Sequence, residues 1–350
     1  MRMTPSYDTK VDFKYSGGQK RIVWVDYAKG IGIFLVVVGH VLGGLRNASI
    51  LNDTVWDEFV VRLIYTFHMP LFFFIAGLFA QHAAKRPTSR FFLDKLSVIA
   101  YPYFIWSLLQ ATLEIWGAKY VNHTIPAVAL LKIIYSPLTQ FWFLYTLFII
   151  LTLYKLAYNL ELSSKVFFSF ALVCYAVEVF RANFFYWDVL NSVCYFLIYF
   201  ALGVVTAQTS LLFGLQKTRW AAGITVMGCV LVAAGVAAHV DHWPLMRLGL
   251  AISGIVATIA LAILTSRTEK LSFIRTWGLL SLEIFVAHAI AAASIRILLQ
   301  KAFGLSAPLP HILLGIGLGL YMPILLAYSA QKIGLPYLFT VSAKLRPFRL

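Results

Sequence analysis

The chain has 350 residues, of which 61% are hydrophobic, 16% aromatic and only 12% charged; soluble domains hold about 45–50% apolar and about 25% charged residues, so a soluble globular fold is excluded. The formal charge of +15 would fit a nucleic-acid binder in a soluble protein, but the basic residues sit mostly in short loops between apolar runs, where they set membrane topology. Those runs are about 20 residues long and continuous, as lipid demands of spanning helices, and they lack the alternation of a membrane barrel.

The first twenty residues are polar and contain no apolar signal-peptide core, so the first helix itself is expected to direct insertion. Ten spans are predicted, near 24–45, 62–82, 97–116, 141–158, 165–181, 189–208, 219–238, 245–264, 277–299 and 308–332. The fold class is therefore all-α: a polytopic helical membrane protein with an N-terminal segment 1–23, a membrane domain 24–332 and a basic tail 333–350. With the N-terminus inside, 20 lysines and arginines fall in inside segments and 6 outside, which predicts that both termini are cytoplasmic.

The first span reads Asp26-Tyr27-Ala28-Lys29-Gly30 and ends Gly39-His40. Lys29 and His40 are eleven residues apart, close to three full turns, so both lie on one face, about 16 Å apart along the axis. Asp26 lies one turn before Lys29 on the same stripe. An ionisable residue at membrane depth is costly and faces protein or water, which makes each a functional candidate. A boundary ion pair with a snorkelling lysine is the plainer reading of Asp26 and Lys29.

The second span begins Phe67-His68-Met69-Pro70 and enters from the side where the first exits. His68 and His40 are thus expected at similar depth on neighbouring helices, facing one cavity in the outer half. Pro70 loosens the helix there, and the freed carbonyls need protein or water beside them. No third or fourth ligand is placed by the sequence, so no metal site is predicted.

Residues 124–136 are apolar but short and carry Pro126; a re-entrant and an interfacial piece are both open readings. Cys174, Cys194 and Cys229 form neither a disulfide framework nor a metal spacing and read as small buried residues. The ninth span reads Ser281-Leu282-Glu283-Ile284-Phe285-Val286-Ala287-His288. Glu283 and His288 are about 140° apart and do not share a face, while a glutamate at that depth needs a partner or a proton.

These stretches together resemble the acyltransferase-3 family of membrane O-acyltransferases, in particular its fucose 4-O-acetylase-like branch. The likeness is carried by Asp26 to His40 (DYAKGIGIFLVVVGH), Phe67 to Gly77 (FHMPLFFFIAG), Tyr101-Pro102 to Trp106, Trp142-Phe143-Leu144, and Ser281 to His288 (SLEIFVAH). The family commonly has arginine where this chain has Lys29, which keeps the charge but loses the bidentate fork. The resemblance implies ten helices in the cytoplasmic (inner) membrane and transfer of an acyl group, acetyl foremost, from a cytoplasmic thioester to a hydroxyl of a cell-envelope carbohydrate or glycolipid. Acetyl-CoA is then the expected donor substrate, with no metal and no nucleic acid; the oligomeric state is open.

A hydroxyl attacking a thioester needs a general base, and histidine is the natural one near neutral pH. On this reading His40 is the base, Asp26 and Lys29 help form the donor entrance, and His68 and Glu283 line the cavity. Arg86, Arg90 and Lys95 attract the donor phosphates, with Trp142 assigned to the donor side. Two rivals stand beside it. A secondary transporter would use the same His, Glu and Lys as a proton relay, although no repeat of the two halves is visible. A non-catalytic scaffold in an envelope-assembly complex would tolerate alanine at both His40 and His68.

Overall fold

The computed structural model describes residues 14–16, 19–51, 55–119, 126–180, 185–209, 212, 215, 218–268 and 271–341. Most of the expected N-terminal segment, the end of the basic tail and the loop cations Arg181, Lys217 and Lys270 lie outside the described residues. The described helices are α1 (Val23–Asn47), α2 (Val55–Ala84), α3 (Thr88–Lys95), α4 (Tyr101–Trp116), α5 (Ala129–Lys132), α6 (Trp142–Asn159), α7 (Ser164–Phe180), α8 (Asp188–Ala207), α9 (Thr218–Ala237), α10 (Pro244–Thr265), α11 (Ser272–Leu279), α12 (Ser281–Ile297) and α13 (Pro308–Lys332). Ahead of α1, Lys14–Ser16 pairs antiparallel with Gln19–Arg21; the fold is otherwise helical, as expected.

Nine helices among the described residues are long and apolar enough to cross a membrane. The fifth predicted span corresponds to α7, whose 17 residues stand at the short limit for spanning. The third span differs from expectation. It begins at Thr88 rather than 97, because α3 and α4 run on as one helix through a π turn at Leu96–Ala100. Pro102 has no N–H for the carbonyl four residues back and crowds it, and the wider turn accommodates that defect. Among the described residues of the apolar stretch 124–136, the chain makes only the one-turn α5 and does not span.

The exterior is apolar in the way a lipid solvent allows. Val226, Met227, Val230 and Leu231 on α9 and Leu313, Leu325 and Leu326 on α13 all point outward, an apolar surface that water would not tolerate on a monomer. Cys229 is exposed among them rather than buried, while Cys174 on α7 and Cys194 on α8 lie within thiol hydrogen-bonding contact of each other. At the centre stand α1 and α2: α1 packs against α2, α10, α11, α12 and α13, and α2 packs most extensively on α8. The α2–α8 contact is backbone to backbone. A Cβ on Gly77 would collide with the carbonyl of Phe200, and one on Gly203 with that of Phe74; small residues let membrane helices approach this closely.

The two faces of the bundle are named here from α1: it starts at the entry rim and ends at the exit rim. At the entry rim, buried Lys155 of α6 donates to the carbonyls of Ala84 (2.7 Å) and Arg86 (3.0 Å), closing the C-terminal end of α2. The chain after α13 returns onto α4: Tyr101 donates to the carbonyl of Tyr337 (2.7 Å), Trp106 to that of Leu338 (2.9 Å), and the Trp106 and Phe339 rings stack at 5.2 Å.

At the exit rim, Arg46 pairs with Asp57 (2.8 Å), closing the α1–α2 turn. Arg62 of α2 holds Asp241, which lies between α9 and α10, through its Nε at 3.1 Å and a second nitrogen. Burial pushes the Asp241 carboxyl up, but the hydrogen bonds and charge of Arg62 outweigh it and hold the group below the usual carboxylate range. A depressed folded-state pKa means stability present above the unfolded value of about 3.9 and lost as pH falls through the lower folded one. Asp241→Asn is therefore expected to flatten the acid limb of a thermal-unfolding series in detergent. It should also lower stability at neutral pH by about 1 kcal/mol; an unchanged acid limb would show that the pair carries no linkage.

Candidate functional site

α1 is one uninterrupted helix, so Lys29 and His40 do share a face along a rise of about 16 Å. Its entry end is held by α11. A Cβ on Gly278 would fall onto the carbonyl oxygen of Asp26, and one on Gly30 onto that of Ile274, so the two helices touch through their main chains. That contact brings Arg275 to buried Asp26, Nε to Oδ2 3.6 Å. The partner for Asp26 across the helices is thus Arg275, which spacing along α1 did not reveal.

Beside this pair lies a cationic group. Lys95 is within electrostatic range of Lys29 and Arg86, and its ammonium sits 5.7 Å over the Phe91 ring. Arg86 is ion-paired to Asp94, and Arg90 is exposed. Three of the expected donor-side cations therefore cluster at the entry rim with Asp94 among them, while Arg90 stands on the surface. Glu283, in the first turn of α12, is half-buried, where a carboxylate also complements the helix dipole. It lies one and a half turns before His288.

Deeper along α1, three histidines from three helices meet. The His40 ring packs edge-on against His288 of α12, with centroids 5.0 Å apart and planes at 63°. His68 of α2 lies within electrostatic range of His40, as the shared depth predicted. His68 and His288 are buried, and their Nδ1 atoms donate to their own helices: His68 to the carbonyl of Ile64 (2.7 Å), His288 to those of Phe285 (2.8 Å) and Ile284 (3.0 Å). Each hydrogen bond fixes the tautomer with the proton on Nδ1 and leaves Nε2 as a lone pair. The His288 Nε2 has no hydrogen-bond partner. His40 keeps part of its surface open, and beyond it on α1 the sites Gly43 and Gly44 have no other atom within 4 Å of a would-be Cβ. The three histidines therefore gather below an uncrowded stretch of α1 at its exit end.

The aromatic residues of the other matched stretches extend this packing. His288 touches Phe285 (6.2 Å), Phe285 touches Phe143 of α6 (5.3 Å), and Phe143 touches Phe72 (5.8 Å) and Phe73 (5.1 Å) of α2. Trp142 stacks on Phe196 of α8 (5.0 Å) and Phe73 (6.5 Å), so its ring is part of this packing, away from the entry-rim cations. Tyr65 packs edge-on against His68 at 4.9 Å. Four of the stretches singled out in the sequence thus converge around the histidines. The residue that sequence reasoning passed over is His288; its signal was a third intramembrane imidazole inside a matched stretch. No group of three or more His, Cys, Asp or Glu among the described residues is disposed to hold a metal ion. A cavity of about 620 Å³ between the ends of α2, α6, α7 and α8 is lined by Gln81, Asn159, Ser164 and Gln208, among others, and none of the three histidines borders it.

The model of the family described as an acyltransferase domain matches residues 22–328. The chain is 29% identical over 195 residues to nodulation protein NolL of Sinorhizobium fredii (strain NBRC 101917 / NGR234), covering 55% of this chain and 51% of that one. It is 30% identical over 138 residues to nodulation protein NolL of Mesorhizobium japonicum (strain LMG 29417 / CECT 9101 / MAFF 303099), covering 38% and 35% respectively. The chain thus spans about half or less of the length of these relatives. No solved structure matches.

Proposed function

The chain belongs to the acyltransferase domain family, and from that premise we propose that it is a membrane O-acyltransferase moving an acetyl group from acetyl-CoA to a hydroxyl of a cell-envelope carbohydrate or glycolipid. The observation that carries the reading is the single face of α1, with cations at one end and three histidines at the other. The proposal places the entry rim in the cytoplasm of an inner-membrane protein and assigns the chain to the fucose 4-O-acetylase-like branch.

In the proposed reaction His40 removes the proton from the acceptor hydroxyl as its oxygen attacks the thioester carbonyl carbon. The new C–O bond forms, the C–S bond breaks, and the thiolate takes the proton back from His40. His288 packs edge-on against the His40 ring and holds its orientation, and His68 lies within electrostatic range of it. Lys29, Lys95 and Arg86 attract the donor phosphates, for which charge-assisted hydrogen bonds suit, and Asp26 with Arg275 fixes the start of α1. The hydrophobic wall of Phe143 and Phe285 excludes water that would otherwise hydrolyse the thioester.

The test is transfer of labelled acetyl from acetyl-CoA to envelope glycans by the purified protein in bilayer nanodiscs. Label transfer supports the enzyme; sugar flux through proteoliposomes without thioester, and no transfer, would replace it with a transporter. Lys95→Gln is expected to raise the apparent KM for acetyl-CoA about tenfold with kcat little changed, and wild-type KM should rise with salt as the mouth is screened. A fall in kcat at unchanged KM would move Lys95 out of donor binding.

A further inference from the structure

Arg296 in the last turn of α12 is buried, 8% exposed. No carboxylate among the described residues pairs with it. Three acids at the exit rim are already engaged: Asp57 by Arg46, and Glu58 and Asp241 by Arg62. Nor does its guanidinium bond the carbonyls at the end of α12, the plain structural role for a cation there. Its stem is covered while its guanidinium nitrogens are not among the sealed polar atoms, so the charge remains reachable by a ligand.

Its position follows from helix geometry. Phe285 and Arg296 are eleven residues apart, three turns on one face, so Arg296 stands above the Phe285–Phe143 contact on the inner side of α12. A Cβ on Gly319 of α13 would lie 4.0 Å from the Cβ of His288. Eight residues further along each antiparallel helix, Arg296 and His311 come to the same level. His311 is 1% exposed, donates Nε2 to the carbonyl of Leu305 (2.9 Å) and leaves Nδ1 without a partner. The exit end of α1 presents the open sites Gly43 and Gly44. Arg296 therefore stands about 12 Å beyond His288 by helical rise, in the final turn of α12 at the exit rim.

We propose that Arg296, with His311 at the same level on α13, binds a phosphate ester carried by the acceptor, holding that end at the exit rim while a hydroxyl further along the molecule descends to His40. A guanidinium fork matches phosphate oxygens in bidentate fashion, and the rise leaves room for one or two sugar rings between phosphate and base. Identifying the phosphate as the acceptor's rests on the acyltransferase reading; anion binding at Arg296 does not.

The test uses the full chain and no thioester. Thermal unfolding is followed in neutral detergent with inorganic pyrophosphate, and in nanodiscs of phosphatidylcholine with and without phosphatidylglycerol. Lys95→Gln reports the contribution of the entry-rim cations. The wild type is expected to be stabilised by pyrophosphate, with Arg296→Gln weakening the apparent Kd about tenfold or more and Arg296→Lys retaining part of the shift. An Arg296-dependent shift with phosphatidylglycerol alone would identify a lipid headgroup as the source, and one with pyrophosphate a soluble or sugar-borne phosphate; either supports the site. Equal responses of wild type and Arg296→Gln to both probes would overturn it, as would a wild type that responds to neither should Arg296→Gln fail to fold. Phosphate binding without acyl transfer would sink the enzymatic reading alone, and transfer without Arg296-dependent binding this inference alone.

Discussion

His40→Ala is expected to lower acyl transfer by about 10²–10⁴-fold while the protein still folds and still binds the donor. His40 is the one histidine of the three that retains open surface. The other two spend Nδ1 on backbone carbonyls of their own helices, which fixes them as orienting groups around it. His40→Gln keeps much of the volume against His288 and should lose nearly as much activity, separating chemistry from packing. His288→Gln leaves the base in place and removes the neighbour 5.0 Å away, so a smaller loss is expected. Full wild-type transfer by purified His40→Ala would remove His40 from the mechanism, and a greater loss in His288→Gln would move the base to α12.

Gly278→Ala is expected to be the most damaging small substitution in the chain. The added methyl would coincide with the carbonyl oxygen of Asp26 and press on the amide of Gly30. These are main-chain atoms that no rotamer change can move, so α11 must lift from α1. Overpacking commonly costs about 1–3 kcal/mol and occasionally more, and a backbone clash belongs at the upper end. Separation of the helices would also take Arg275 away from Asp26 and loosen the entry to the cationic mouth, so donor KM should rise together with the loss of stability. Gly249→Ala on α10 is the control, since nothing lies within 4 Å of a Cβ there. Denaturant titration in detergent distinguishes the two, and equal stability of both variants would contradict the close contact.

Much of the architecture was legible because lipid imposes a one-dimensional rule. Each spanning segment must satisfy its own backbone hydrogen bonds, so composition over about 20 residues locates the helices without knowledge of their neighbours. The same locality made the Lys29–His40 face readable, since it depends on one helix alone. Legibility failed where a local defect or a distant partner decided. The π turn at Leu96–Ala100 lengthened the third span, and the aromatic stack of Trp142 with Phe73 and Phe196 joins three helices.

By itself, then, the amino-acid sequence determined a helical membrane bundle, the shared face of Lys29 and His40 along α1, and membership of a family. Only the tertiary structure decided that His288 meets His40, that Arg275 answers Asp26, that Lys155 closes α2, and that Arg296 has no carboxylate partner among the described residues. The physical reason is that helix periodicity sets which face a residue occupies, while the rotation and approach of neighbouring helices follow from contacts such as Gly30 against α11 and Gly77 against α8. Those contacts join segments more than a hundred residues apart, and no pattern along the chain records which of them meet.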